Sequence, residues 1–282
     1  MADRKEAFVD LGPGRRVHCV DMGDGPAVVF FPGNGCSVED MAPLMPRIAE
    51  RYRFVGIDPP GRVPTEWPDE PFSFLDDLPP VIDRALTEVF LPHRPASRSA
   101  LRPAARPADG AKTLLKVGPH VAMGHSMGGM LALQHANRHR GQVRGLVLFE
   151  GFVTLKIHSA NAAPKGFRSI RMAPETEKAF LQRQAANQYW LESHPKFKES
   201  FWASQQAHDA RPWVAELNIP ILVFIGENGQ KLPPDLDSWR KALGMDRVKD
   251  LTIVPVPHAG HWMMLDDPKL VGDALMPFLA RV

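Results

Sequence analysis

Residues 124–129 read Gly-His-Ser-Met-Gly-Gly, directly after an apolar run ending at Met123 and before an amphipathic stretch that starts at Met127. A serine flanked by glycines two residues to either side, at a strand-to-helix turn, is held in a strained conformation with its hydroxyl projecting from the bend. Such a hydroxyl can attack a carbonyl carbon, but serine is a weak nucleophile near neutral pH. Ser126 therefore needs an imidazole within hydrogen-bond reach to take its proton. The imidazole in turn needs an acceptor on its other nitrogen to fix the tautomer. His125 is adjacent on the turn and reads as pocket wall rather than base. His258 and His261, both beyond the apolar run Leu251–Val256, are the candidate bases.

These side chains must be brought together by elements that the apolar pattern marks out. Short runs rich in Val, Ile, Leu and Phe recur at Ala27–Phe31, Arg53–Ile57, His120–Met123, Leu146–Phe149, Ile219–Ile225 and Leu251–Val256. Amphipathic stretches at Val38–Arg51, Asp76–Phe90, Met127–Arg140, Leu236–Leu243 and Pro268–Ala280 alternate with them. That alternation predicts an α/β protein whose parallel strands are joined by crossover helices. Arg15–Asp21, with Gly23-Asp24-Gly25 after it, reads as a hairpin strand at a sheet edge, which makes the sheet mixed there.

Two stretches interrupt the alternation. Residues 92–111 carry Pro92, Pro95, Pro103 and Pro107 together with Arg94, Arg98, Arg102 and Arg106. Proline forbids a continuous helix and arginines four apart repel, so a flexible Pro/Arg-rich surface loop is expected within the core. Residues 152–212 lack a strand pattern but hold helix-like runs at Glu175–Ser193 and Phe197–His208, with Phe180, Tyr189, Trp190, Phe201 and Trp202. Sixty residues are too many for a loop and few for an independent domain, so they read as a helical cap over one edge of a core formed by 1–151 and 213–282.

The chain resembles the α/β-hydrolase superfamily over nearly its whole length. The resemblance rests on Phe31-Pro32-Gly33-Asn34-Gly35 after an early strand, Asp58-Pro59-Pro60-Gly61-Arg62 after the next, the Gly124–Gly128 turn, and Ala259-Gly260-His261-Trp262 followed by Asp266-Asp267-Pro268. It implies a mostly parallel sheet flanked by helices, with a helical cap inserted after the Leu146–Phe149 strand. It also implies Ser126 as nucleophile and His261 as base, since only His261 follows a glycine and precedes a helix. The backbone N–H groups of Asn34 and Met127 become oxyanion donors, and the Asn34 side chain either adds a third donor or faces solvent. The usual acid position after Ile219–Ile225 is Gly229 here, in Gly226-Glu227-Asn228-Gly229. A minority of the superfamily, including haloalkane dehalogenases, keeps the acid one strand earlier, where this chain has Glu150. Glu150 is the expected acid, with Glu227 as the alternative.

Composition limits the rest. Lys and Arg (34) nearly cancel Asp and Glu (32), so no chain-wide field gathers nucleic acid or anionic lipid, and a small ester-like molecule is the expected partner. Cys19 and Cys36 are the only cysteines, too few for a disulfide framework, and the first residues do not resemble a signal peptide. A cytoplasmic protein without a membrane span follows. No phosphate-cradling or dinucleotide glycine motif is convincing, and no cofactor is expected. His135 and His139 lie four apart on one helix but lack a zinc-helix pattern, so they are expected at the surface and no metal is expected. The expected activity is hydrolysis of a carboxylic ester, lactone or thioester. C–C or amide hydrolysis, acyl transfer and a non-catalytic binding role remain the alternatives.

Overall fold

The computed structural model describes residues 3–89, 117–155, 171–226 and 235–282. The 92–111 loop and Glu227 lie outside the described residues. Among the described residues eight strands form one sheet: β1 (Arg4–Gly12), β2 (Arg15–Met22), β3 (Ala27–Phe31), β4 (Arg53–Asp58), β5 (His120–His125), β6 (Val143–Phe149), β7 (Ile221–Gly226) and β8 (Leu251–Val256). Their order is β1-β2-β4-β3-β5-β6-β7-β8. The β1–β2 and β2–β4 pairings are antiparallel and the others parallel. This is the α/β-hydrolase fold that the resemblance implies.

One strand differs from expectation. Arg15–Asp21 is in a hairpin strand, but its hairpin partner is the preceding β1, and β2 also pairs with β4, so β1 and not β2 is the sheet edge. Edge strand β1 alternates mostly exposed residues around buried Val9 and gives no apolar run to read.

The inner strands show why the sheet forms. In β3, β6 and β7 successive residues feed opposite faces: Val29, Phe31, Leu146, Leu148, Ile221 and Val223 enter one apolar cluster, and Val28, Phe30, Val147, Phe149, Leu222 and Phe224 the other. Period-two burial on both faces needs helices on both faces. On the first face lie α2 (Leu78–Val89) and α3 (Met127–Arg138), and on the second α1 (Met45–Ala49) and, near the C-terminus, Pro268–Arg281. The helix expected over Val38–Arg51 is instead a 3-10 turn at Val38–Met41 followed by α1. Pro43 and Pro46 remove the N–H groups that a continuous helix would need. Between β6 and β7 run α4 (Pro174–Ser193) and α5 (Pro195–Gln206), and after them α6 (Leu236–Ala242), α7 (Met263–Asp266) and α8 (Pro268–Arg281). Among the described residues no helix is long and apolar enough to cross a membrane.

The connection that leaves β3 leads to β4 on one side, whereas the connection that leaves β5 leads to β6 on the other. The loops after β3 and β5 therefore diverge at the carboxyl edge and leave a crevice, the place where sheets of this kind put their chemistry.

Buried histidines set a stability limit. Burial pushes His120 and His208 down to about 4, and holds His125 and His135 well below the usual imidazole range. In the unfolded chain these groups take up protons from about pH 6.5 downward, while the folded chain keeps His120 and His208 neutral until about pH 4, so stability is lost across that window. His120 and His208 each account for about 3 kcal/mol of that loss. His18 moves the other way: burial lowers it, but hydrogen bonding and charge attraction to Asp58 and Glu6 together outweigh that burial, and its contribution opposes the loss. Urea midpoints are expected to fall steeply between pH 6.5 and 4.5. A flat midpoint over that range would show these rings to be solvated.

Candidate active site

At the end of β5 the chain turns sharply. Ser126 has φ 53 and ψ −117, its N–H donates to the Phe149 carbonyl at 2.9 Å, and α3 begins at the next residue. The glycines beside it answer to space. A Cβ on Gly124 would stand 2.1 Å from the Gly128 carbonyl oxygen, and one on Gly128 would stand 2.0 Å from the Phe31 carbonyl oxygen. The turn is thus in backbone contact with the end of β3. A Cβ on Gly33 would lie 3.0 Å from the Ser126 Cβ, so the loop after β3 rests against the serine.

Glu150, the first residue beyond β6, also has positive φ (44), and its N–H donates to the Phe224 carbonyl at 3.0 Å. Its carboxylate is held from two sides. The Gly226 N–H donates to Oε1 at 2.9 Å, and His261 Nδ1 donates to Oε2 at 2.6 Å. Glu150 and His261 are both buried. The bend at Gly226 admits no side chain, since a Cβ there would come 2.2 Å from the Gly260 carbonyl oxygen.

The loop that carries His261 is anchored twice. The Gly260 N–H donates to buried Asp266 at 2.6 Å, and His125 Nε2 donates to the His261 carbonyl at 2.9 Å. Burial pushes the His261 pKa down. With Nδ1 donating to Glu150, the neutral ring keeps an unshared pair on Nε2. His258 sits exposed on the turn before it. His125, read from sequence as pocket wall, instead fixes the backbone of His261 from 136 residues away; its position beside Ser126 carried no signal of that role.

The backbone N–H groups of Asn34 and Met127 donate no hydrogen bond among the described residues. The Asn34 side chain takes neither of its expected roles: Oδ1 accepts from Arg62 Nη2 at 2.8 Å, and Nδ2 donates to Gln205 Oε1 at 3.2 Å. Arg62, on the turn after β4, is fully buried and also donates to the carbonyls of Gly33 (2.9 Å) and Gly61 (2.7 Å). Burial lowers its pKa only to about 10, so a full positive charge pins the loop at neutral pH.

From α4, buried Asn187 donates to the carbonyls of Gly35 (3.0 Å) and Cys36 (3.3 Å) and accepts from the Val63 N–H at 2.7 Å. Phe180, on the same helix, meets Trp262 edge-on at 4.8 Å. The Cys36 thiol accepts from Trp262 Nε1, and burial raises its pKa well above the ordinary thiol value, which suits a packed side chain rather than a nucleophile.

The expectation that His135 and His139 face solvent is overturned. Both are buried where the end of α3 packs near Asp83 of α2, contacts across 52 and 56 residues that spacing along one helix does not reveal.

A model of the alpha/beta hydrolase family matches residues 28–274. A 2-hydroxy-6-oxo-6-(2'-aminophenyl)hexa-2,4-dienoic acid hydrolase of Metapseudomonas resinovorans is 22% identical, covering 98% of this chain and 91% of its own. Among solved structures, 2-hydroxy-6-oxo-6-phenylhexa-2,4-dienoate hydrolase from Rhodococcus sp. strain RHA1 aligns with a TM-score of 0.72 at 18% identity, over 100% of both chains. A thermophilic esterase from Thermogutta terrifontis aligns with a TM-score of 0.67 at 16% identity, over 99% of each.

Proposed function

The chain belongs to the alpha/beta hydrolase family, and from that premise we propose that it is a serine hydrolase of a small carboxylic ester, lactone or thioester, with Ser126 as nucleophile, His261 as base and Glu150 as the acid that orients it. The observation that carries this reading is the 2.6 Å contact between His261 Nδ1 and a Glu150 carboxylate already held by the Gly226 N–H. A neutral imidazole fixed in this tautomer takes the serine proton as Oγ adds to the substrate carbonyl. The tetrahedral oxyanion is met by the N–H groups of Asn34 and Met127, each donor worth about 3 kcal/mol in comparable sites. Imidazolium then protonates the leaving alcohol or thiol. Water, deprotonated by His261, releases the acid from the acyl-enzyme.

Residues 152–212 serve as a cap whose α4 and α5 cover the reacting centre, and the core is formed by 1–151 and 213–282. Two buried, unpaired cysteines favour a cytoplasmic site of action. A second reading is C–C bond hydrolysis of a hydroxy-oxo-dienoate, favoured by the two relatives named as hydrolases of such dienoates.

A panel of p-nitrophenyl esters graded by acyl length, run beside a 2-hydroxy-6-oxohexa-2,4-dienoate, separates the readings. The expected result is saturable ester turnover that a fluorophosphonate stops by labelling Ser126. A kcat/KM for the dienoate above that of every ester would replace the first reading with the second. Absence of both turnover and labelling would leave a binding protein on a hydrolase fold.

A further inference from the structure

On the first face of the sheet, His135 lies in the last turn of α3, His139 caps the end of that helix four residues on, and Asp83 of α2 faces them. His139 Nε2 is 2.7 Å and His135 Nδ1 3.9 Å from Asp83 Oδ1, and the three ligand atoms all lie within 4.8 Å of one another. Both histidines are buried, whereas the Asp83 side chain is 14% exposed and gives an approach from solvent.

The protons in this cluster can be assigned from its neighbours. His120 Nδ1 lies 2.9 Å from the Gly118 carbonyl, which can only accept, so that nitrogen carries the proton. Neutral His120 then has a bare Nε2, 2.9 Å from His135 Nε2. Two nitrogens that close need one hydrogen between them, and His135 supplies it. The remaining nitrogen of a neutral His135, Nδ1, is therefore an unshared pair facing a carboxylate oxygen. Burial keeps both rings neutral, which agrees with this assignment. Nδ1 and the carboxylate oxygen, 3.9 Å apart, are thus two acceptors that face each other and that a cation between them would satisfy together.

We propose that Asp83, His135 and His139 bind one divalent cation of the zinc class and thereby tie α2 to α3. Two imidazole nitrogens and one carboxylate oxygen are a donor set that Zn²⁺ accepts, with water in the fourth position. Donors on a tetrahedral zinc stand about 3.3 Å apart, so the 2.7 Å contact must open and the 3.9 Å contact close, each by about half an ångström. The proton on His139 Nε2 passes to its own Nδ1 or to solvent as the metal arrives. The chain from His135 Nε2–H to His120, and from His120 to a backbone carbonyl, is the outer support that orients a ligating imidazole. Arg138 donates to Asp83 Oδ2 at 2.9 Å and leaves Oδ1 for the metal; its opposing charge is 44% exposed and weakened by water.

The test uses the full chain, stripped with a chelator and titrated with Zn²⁺ by calorimetry and with Co²⁺ by visible absorption at pH 7.5. One equivalent should bind, the Co²⁺ complex should show the intense bands of a tetrahedral site, and the melting temperature should rise with Zn²⁺. His139→Gln and Asp83→Asn should each weaken binding at least tenfold and cancel the thermal shift, while the ester turnover of the metal-free protein stays as in the parent. Should Asp83→Asn fail to fold, His139→Gln with a parent-like melting temperature decides alone. Absence of heat and colour in the parent overturns the proposal, as does equal binding by parent and variants.

Discussion

Ser126→Ala is expected to lower kcat on esters by a factor on the order of 10⁶, because the nucleophile acts with its base as a unit and its loss removes the covalent path entirely. The folded state should not register the change. Alanine at φ 53 carries the same backbone strain as serine, so the melting temperature stays where it was. Ser126→Gly supplies the contrast. Glycine occupies this backbone conformation without strain, and stability should rise by about 1 kcal/mol while activity is equally lost. Kinetics on purified variants together with urea unfolding measure both effects. A Ser126→Ala enzyme that keeps a tenth of parental turnover would mean that another group attacks the substrate.

Glu150→Gln should cost kcat about 10³- to 10⁴-fold with little change in KM. The reason lies in the two donors that converge on the carboxylate. One oxygen accepts from the Gly226 N–H and the other from His261 Nδ1. An amide has one oxygen, and if the Gly226 N–H claims it, the NH₂ group confronts His261 Nδ1. The ring then keeps its proton on Nε2, where it cannot take one from Ser126. A loss smaller than tenfold would remove Glu150 from the reaction and return attention to Glu227.

The sequence made visible what depends on local rules. Seven of the strands produce apolar runs or alternation, and Gly124, Ser126 and Gly128 form a turn whose spacing is dictated by contacts a Cβ would block. Glu150 could be picked out by its place at the end of an apolar run, once the usual position proved to be glycine. What stayed hidden is contact across long separations. Arg62 reaching Asn34, His125 holding His261, and Asp83 meeting His139 join residues whose neighbours in sequence carry no trace of the pairing. Edge strand β1 escaped for the opposite reason: with solvent on much of its surface it needs no apolar pattern at all.

The amide of Asn187 has a mechanical consequence. Its three bonds clamp α4 to the loop after β3 and to the turn after β4, while Gln205 ties α5 to Asn34 in that same loop. Lifting the helical roof breaks these bonds together, at about 1 kcal/mol apiece. The two helices and the loop accordingly make up a single latch, and the loop after β3, proposed above to hold the reacting oxygen, is fully braced only while α4 and α5 are seated on it.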